Sequence, residues 1–264
     1  MLSVLSPAKS LDESPLNRPT LPLTTPALLA DTELLVKKAR SLKPAALAEL
    51  MDLSPALAEL NHARFQAFSL PHTAQNAKPA ALLFAGDTYA GLKAPTLDDD
   101  ALRWAQDRLG LLSGLYGLLR PLDLIQPHRL EMGTALPTRR GKTLYAFWGD
   151  RITDRVNALT AGHADRTLVV LASAEYAKAI RPARLAGPRL TMSFEEVKDG
   201  APRVIGLVAK RARGMMARWI IEQRLDRAEG LKDFAVDDYA FAPTRSTADT
   251  WVFSRPWRTA AGFV

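Results

Sequence analysis

The chain has 264 residues, 47% of them hydrophobic, with no cysteine and a formal net charge of +7. That length is ample for one substantial core, and the missing cysteines exclude disulfides, thiolate-ligated metals and thiol catalysis. An isoelectric point near 9.8 favours polyanionic partners such as nucleic acid, an anionic surface or phosphorylated small molecules. In chain order, strand-like apolar runs bounded by turn residues occur at 2–6, 80–85, 167–172, 190–194 and 203–208. Helical patterns lie between them. One opens at Thr25-Pro26 and runs to about Arg40, and Ser54-Pro55 repeats that device ahead of 56–68. Asp98-Asp99-Asp100 gives an acidic start to a helix over 98–109, and further helices are expected at 149–159 and 208–225. Strands and helices mixed from end to end predict an α/β (mixed α+β) fold, a single domain over 1–264 with a mixed sheet flanked by helices.

The apolar start Met1–Ser6 has no basic region and stops at Pro7, short of a signal peptide. No run of about eighteen apolar residues escapes a charge, so no membrane segment is expected and the chain reads as cytoplasmic.

Positive charge is concentrated in two places. Over 202–228, Arg203, Lys210, Arg211, Arg213, Arg218, Arg224 and Arg227 are opposed only by Glu222 and Asp226. On a helical wheel Lys210, Arg211, Arg213, Arg218 and Arg224 share one arc. Val208, Ala212, Met215, Met216, Trp219 and Ile220 occupy the other side. A solvated surface usually mixes signs, whereas this one predicts a cationic face docked by an apolar stripe. The second concentration is Arg139, Arg140 and Lys142, followed by Arg151 and Arg155. The two are expected to meet in one groove if the fold brings them together.

Several catalytic patterns fail on inspection. Gly141-Lys142-Thr143 lacks the leading glycine of a phosphate loop, because position 136 is Leu136, and Gly86 and Gly91 are followed by Leu92-Lys93. The four histidines show no metal-ligand spacing, and there is no nucleophile elbow. No pattern implies a cofactor or a bound metal. Leu112-Ser113-Gly114-Leu115-Tyr116-Gly117 follows the 98–109 helix and suggests helix, glycine hairpin, helix, in which backbone N–H groups approach a phosphate. Two residues separate the glycines where the usual hairpin has one, and Pro121 interrupts a second helix early. Arg129–Gly133, Phe147–Asp150 and Leu171–Tyr176 are dense in functional residue types, and the last places a carboxylate and a phenol just after a strand. Structural roles compete for each: Trp148 in the core, Glu175 with Arg129 as a buried ion pair, Tyr176 at a core edge.

Eight blocks together resemble the YaaA peroxide-stress family, in matching order and over roughly residues 1–255. They are Ser6-Pro7-Ala8-Lys9; Gly86-Asp87-x-Tyr89-x-Gly91-Leu92; Leu112–Gly117; Arg120-Pro121-Leu122-Asp123; Arg129–Gly133; Phe147–Asp150; Leu171-Ala172-Ser173-x-Glu175-Tyr176; and Ala209-Lys210-x-Ala212-Arg213-Gly214. The resemblance implies resistance to hydrogen peroxide and lowered free intracellular iron. It also implies an unusual α/β fold with a positively charged cleft and a helix-hairpin-helix-like element, placed here at about 98–130, and binding of double-stranded DNA, including distorted duplexes. Carried over by position, the hairpin falls on Ser113, Gly114 and Gly117, and the cleft charges on Lys9, Lys210, Arg211 and Arg213. Arg218, Arg139, Arg140 and Lys142 complete the expected DNA-binding set, with about five or six phosphate contacts and little sequence preference. The alternative is a DNA-repair or nucleotide-processing enzyme using Lys9, Asp87, Glu131, Glu175 and Tyr176, with Tyr116 and Arg129 nearby. A deep pocket lined by these groups would favour chemistry, and a shallow basic groove would favour binding. Direct iron sequestration would need clustered carboxylates and histidines, and Asp98-Asp99-Asp100 is better explained as a helix start.

Overall fold

The computed structural model describes residues 1–258. Its centre is a mixed eight-stranded sheet. In chain order the strands are β1 (Leu2–Leu5), β5 (Leu109–Ser113), β6 (Gly117–Leu119), β8 (Leu168–Val170), β9 (Arg189–Lys198), β10 (Ala201–Arg203), β11 (Ala240–Phe241) and β12 (Thr250–Pro256). Two short pairs lie outside it, β2 (Ser10–Leu11) with β4 (Phe84–Ala85) and β3 (Lys78–Pro79) with β7 (Leu124–Ile125). The spatial order is β11-β12-β9-β8-β1-β5-β6, with β10 paired to β9. Strands β12, β9, β8, β1 and β5 run parallel, and β6, β10 and β11 add antiparallel partners.

β1 is the pivot of this topology. The chain leaves it to form β5 on one side, then returns after β6 to form β8 on the other. In open α/β sheets such a reversal leaves a crevice beyond the carboxyl ends of the strands, where ligands bind. Burial follows the same logic: all four residues of β1 and all three of β8 are buried, as expected for parallel strands covered on both faces.

The helices are α1 (Leu29–Arg40), α2 (Pro44–Met51), α3 (Pro55–Ala67), α4 (Ala80–Leu83), α5 (Asp87–Leu92), α6 (Asp99–Ala105), α7 (Leu144–Trp148), α8 (Arg151–Thr160), α9 (Ala174–Ala177) and α10 (Gly206–Glu222). The expected Ser54 cap forms, its Oγ accepting from the Leu57 amide at 3.4 Å, and the helix expected over 98–109 is shorter, Asp99–Ala105, with Asp98 outside it as the cap that accepts from the Ala101 amide at 2.7 Å. Thr25-Pro26 does not open α1, which begins at Leu29 without a side-chain cap. Among the described residues no helix is long and apolar enough to cross a membrane.

Three expectations are corrected. The run 80–85 is a turn of helix followed by only two strand residues, its buried alanines and leucines suiting either state. The strand expected at 203–208 stops at Arg203, and α10 starts at Gly206. The helix-hairpin-helix-like element over 98–130 is not formed. After the short helix α6, residues 109–113 enter the sheet beside β1, and 117–119 fold back on them as an antiparallel β-hairpin. Local helix propensity favours leucine in a helix. Burial of Leu109–Ser113 and Gly117–Leu119 against β1 and the surrounding core overrides it.

Candidate functional site

The carboxyl ends of β1 and β8 open into a cleft of about 430 Å³. Ser6 to Ser10 leave β1 along one wall, and Leu171 and Ser173 lead from β8 into α9 along another. The N-terminal turn of α5 and the segment 128–131 form further walls, and α10 closes the space with Lys210 and Arg213. Where the two parallel strands end, Ser6 Oγ donates to Ser173 Oγ at 3.3 Å and accepts from the Ser173 amide at 2.9 Å. Tyr89 of α5 fixes the same corner by donating to the Ser6 carbonyl at 3.1 Å.

Five residues that the sequence offered as acid–base candidates line this one space: Lys9, Asp87, Glu131, Glu175 and Tyr176. Glu131 is shared, with Lys9 Nζ and Arg129 Nη2 each 3.2 Å from its Oε1. Arg129 therefore pairs with Glu131, and the expected Glu175–Arg129 pair does not form. Glu175 instead accepts from the Gly133 amide at 2.8 Å, while Tyr145 donates to its backbone carbonyl at 3.0 Å. Burial, and next the Glu175 carboxylate, push the Tyr176 phenol well above its ordinary range, so it stays protonated and able to donate. Tyr116 does not join them. It lies in the core, where its hydroxyl accepts from the Gln126 amide at 3.1 Å and sits 3.1 Å from His72 Nε2.

Positive charge enters the cleft chiefly from α10. Lys210 is exposed at its mouth, and Arg213 points inward from the next turn. Burial lowers the Arg213 guanidinium from its ordinary value, and its buried Nε has no hydrogen-bond partner. Among the described residues no carboxylate pairs with it. A desolvated cation without a counterion is costly unless an anion arrives to share the space.

The cationic arc expected on α10 is split. Gly91 of α5 meets α10 at Arg211, and Gly214 of α10 meets α5 at Thr88, so closely that a Cβ on either glycine would overlap the opposing carbonyl oxygen. α5 therefore lies on α10 between two grooves. Lys210 and Arg213 face the cleft, whereas Arg211 and Arg218 line a separate groove with Lys93, Met215 and Trp219. Arg218 is occupied within the protein, by Glu222 at 2.8 Å and Thr96 Oγ1 at 2.7 Å. Arg224 lies beyond the helix end and pairs with Asp100 at 2.6 Å.

The other predicted contacts lie elsewhere. Ser113, Gly114 and Gly117 are buried and present no surface to a phosphate. Ser113 Oγ caps the hairpin turn, accepting from the Leu115 and Tyr116 amides at 3.2 and 3.1 Å. At Gly114 a Cβ would overlap the Leu130 carbonyl, and Gly117 combines φ +72° with close contact to Trp148. Trp148 is core, as its structural alternative held, and donates to the Gly114 carbonyl at 2.9 Å. Arg139, Arg140 and Lys142 stand around the 138–141 turn and none lines the cleft. Arg140 pairs with Asp31 and covers the Phe147 ring. The two basic segments therefore do not share one groove.

Sequence reasoning did not single out Ser6, Ser173 or His128, all of which line the cleft. The signal for both serines was their position just past strands β1 and β8. Among the described residues no group of three or more histidine or acidic side chains is placed to hold a metal ion.

The model of the family described as peroxide stress protein YaaA matches residues 1–245. Similar proteins include a UPF0246 protein of Magnetococcus marinus, 56% identical over 256 residues, covering 97% of this chain and 99% of its own. Another from Caulobacter vibrioides is 53% identical over 256 residues, with the same two coverages. A third, from Azoarcus, is 51% identical over 260 residues, again covering 97% and 99%. With most of its length matched by that family model, and by relatives at such identity, this chain belongs to the YaaA peroxide-stress family.

Proposed function

We propose that the protein binds double-stranded DNA during the peroxide stress response, through phosphate contacts with little sequence preference. The observation that carries this reading is the state of the cations on the first half of α10. Arginines elsewhere are widely consumed in ion pairs, including Arg218 and Arg224 at the far end of the same segment. Among the described residues Lys210, Arg211 and Arg213 have no ion-pair partner, and Lys210 and Arg211 are exposed. Lys9, 63% exposed at its side chain, adds a cation at the cleft rim although it leans on Glu131. Phosphate contacts of this kind position a duplex without reading bases. Three or four replace the five or six expected from sequence, because Arg218 is engaged within the fold and Arg139, Arg140 and Lys142 stand outside the cleft.

Fluorescence anisotropy with several unrelated short duplexes tests this. Lys210→Ala with Arg211→Ala is expected to weaken every duplex about equally, by roughly tenfold. Unchanged affinity would remove α10 from the interface.

A second reading has its own support. Asp87, Glu131, Glu175 and Tyr176 share one cleft with Lys9, an arrangement suited to proton transfer on a nucleotide or a damaged strand. Electrophoresis of the recovered DNA separates the readings: intact strands belong to binding, shortened or base-free strands to catalysis.

A further inference from the structure

We propose that the cleft beyond β1 and β8 is a nucleotide site, taking one phosphorylated nucleoside with its phosphate between Arg213 and Lys210. It deepens the reading of the cleft given above, using Lys210 and Arg213 in common with duplex binding but requiring no duplex.

Three independent features converge on the assignment. The first is topological: the cleft lies at the carboxyl ends of two parallel strands, where the strand order reverses about β1. The second is electrostatic. Arg213 projects into the cleft with its Nε buried and unpartnered, and Lys210, three residues earlier on the same helix face, stands at the mouth. A guanidinium and an ammonium converging on one space suit a phosphate dianion, the fork of Arg213 meeting two oxygens and Lys210 supplying a point charge.

The third feature is size and lining. About 430 Å³ is far more than a phosphate needs and falls within the range of small-molecule sites. Besides the two cations of α10 the walls offer acceptors, the Glu175 and Asp87 carboxylates, and donors that include the Tyr176 phenol and the Ser173 hydroxyl. Pro7 and Leu130 supply apolar surface beside them. Acceptors suit sugar hydroxyls and exocyclic amines, and apolar surface suits a base. A ligand that carries an anion together with hydroxyl and amine donors describes a nucleoside monophosphate. The same unit can come from two sources, the free nucleotide pool or a strand from which one nucleotide has left the stack.

Isothermal titration of the full chain with deoxyadenosine monophosphate, deoxyadenosine and inorganic phosphate tests the site. The monophosphate is expected to bind and the nucleoside to bind at least tenfold more weakly, because it cannot use Arg213. Arg213→Gln is expected to weaken the monophosphate tenfold or more, a loss matching one or two charge-assisted hydrogen bonds. Arg184→Ala, on an exposed ion pair remote from the cleft, is expected to leave it unchanged. Should Arg213→Gln fail to fold, the exposed Lys210→Ala carries the test, with a severalfold loss. Equal affinity for nucleoside and monophosphate, no monophosphate binding, or indifference to both substitutions would overturn the proposal. A duplex with a one-nucleotide bulge and its fully paired counterpart, titrated in competition, separate the sources: stronger displacement of the monophosphate by the bulged duplex identifies an extruded nucleotide, and equal or no displacement by the two identifies the free pool. Anisotropy with intact duplex in parallel keeps the two ideas apart, since the nucleotide site stands if duplex binding fails and falls alone if only the monophosphate fails.

Discussion

Burial sets what single side chains in this protein can do. His128 lies at the cleft floor with Nε2 3.3 Å from Ser113 Oγ and Nδ1 2.9 Å from the Gln126 carbonyl. Desolvation, only partly offset by the Gln126 contact, pulls its imidazole down to about 4. The unfolded chain takes up a proton near pH 6.5, whereas the folded protein resists until about pH 4. The neutral ring thus contributes its full stability above pH 6.5 and loses it as pH falls towards 4, by about 3 kcal/mol in all. Urea unfolding at pH 7 and pH 4.5 is expected to show a larger drop for the natural protein than for His128→Gln. Equal drops would mean that the ring is accessible to protons in the folded state. A second buried polar site binds the far side of the sheet. Arg255 on β12 and Glu196 on β9, each with a 2% exposed side chain, are joined by hydrogen bonds of 2.8 and 2.6 Å. Arg255→Met leaves a buried carboxylate alone and is expected to cost about 3–5 kcal/mol. Replacing both partners with apolar residues should recover much of that loss in chemical denaturation.

Among the elements, the contact between α5 and α10 organises the site. Gly91 and Gly214 let the two helices approach until backbone meets backbone, and this contact divides the cationic face of α10 into two grooves. Gly214→Ala is expected to push α5 away, lowering stability by about 1–3 kcal/mol and widening the cleft. Thermal melting checks the stability, and Lys210→Ala, which alters no packing, should melt like the natural protein. Much of the element layout was legible in the sequence. Apolar runs located β1 and β8, Ser54 and Asp98 marked helix starts, and the apolar stripe of α10 was read correctly at Val208, Ala212, Met216 and Ile220. The hairpin at Leu109–Leu119 was not legible, because leucine and glycine between polar segments suit a helical turn as well as a strand. Only the neighbouring β1, more than a hundred residues earlier, decides between them. The split of the α10 face was hidden for the same reason: a helical wheel holds no record of the helix lying across it.

At the scale of the whole molecule, charge is distributed and not merely present. A net +7 describes a tendency, while the fold decides which cations remain available. Arg140, Arg151, Arg181, Arg184, Arg255 and Arg258 are all drawn into ion pairs, and the second basic segment stays out of the cleft. Lys210 and Arg213 are left beside the crevice that the sheet topology creates, and Arg211 stays unpaired in the neighbouring groove. The carboxylates and tyrosine that share the crevice come from three separated segments, so their identities were legible in the sequence but their meeting place was not. The family assignment accounts for the peroxide context, and the geometry of this cleft accounts for why a phosphate-bearing partner is the expected one.

The most direct test of that account is the salt dependence of duplex binding, followed by anisotropy on a short duplex between about 50 and 200 mM monovalent salt. Three or four phosphate contacts predict a logarithmic slope of about −3, and a loss of affinity on the order of a hundredfold across that range. A slope near zero, or no measurable binding at the low-salt end, would contradict the claim that the free cations of α10 hold DNA.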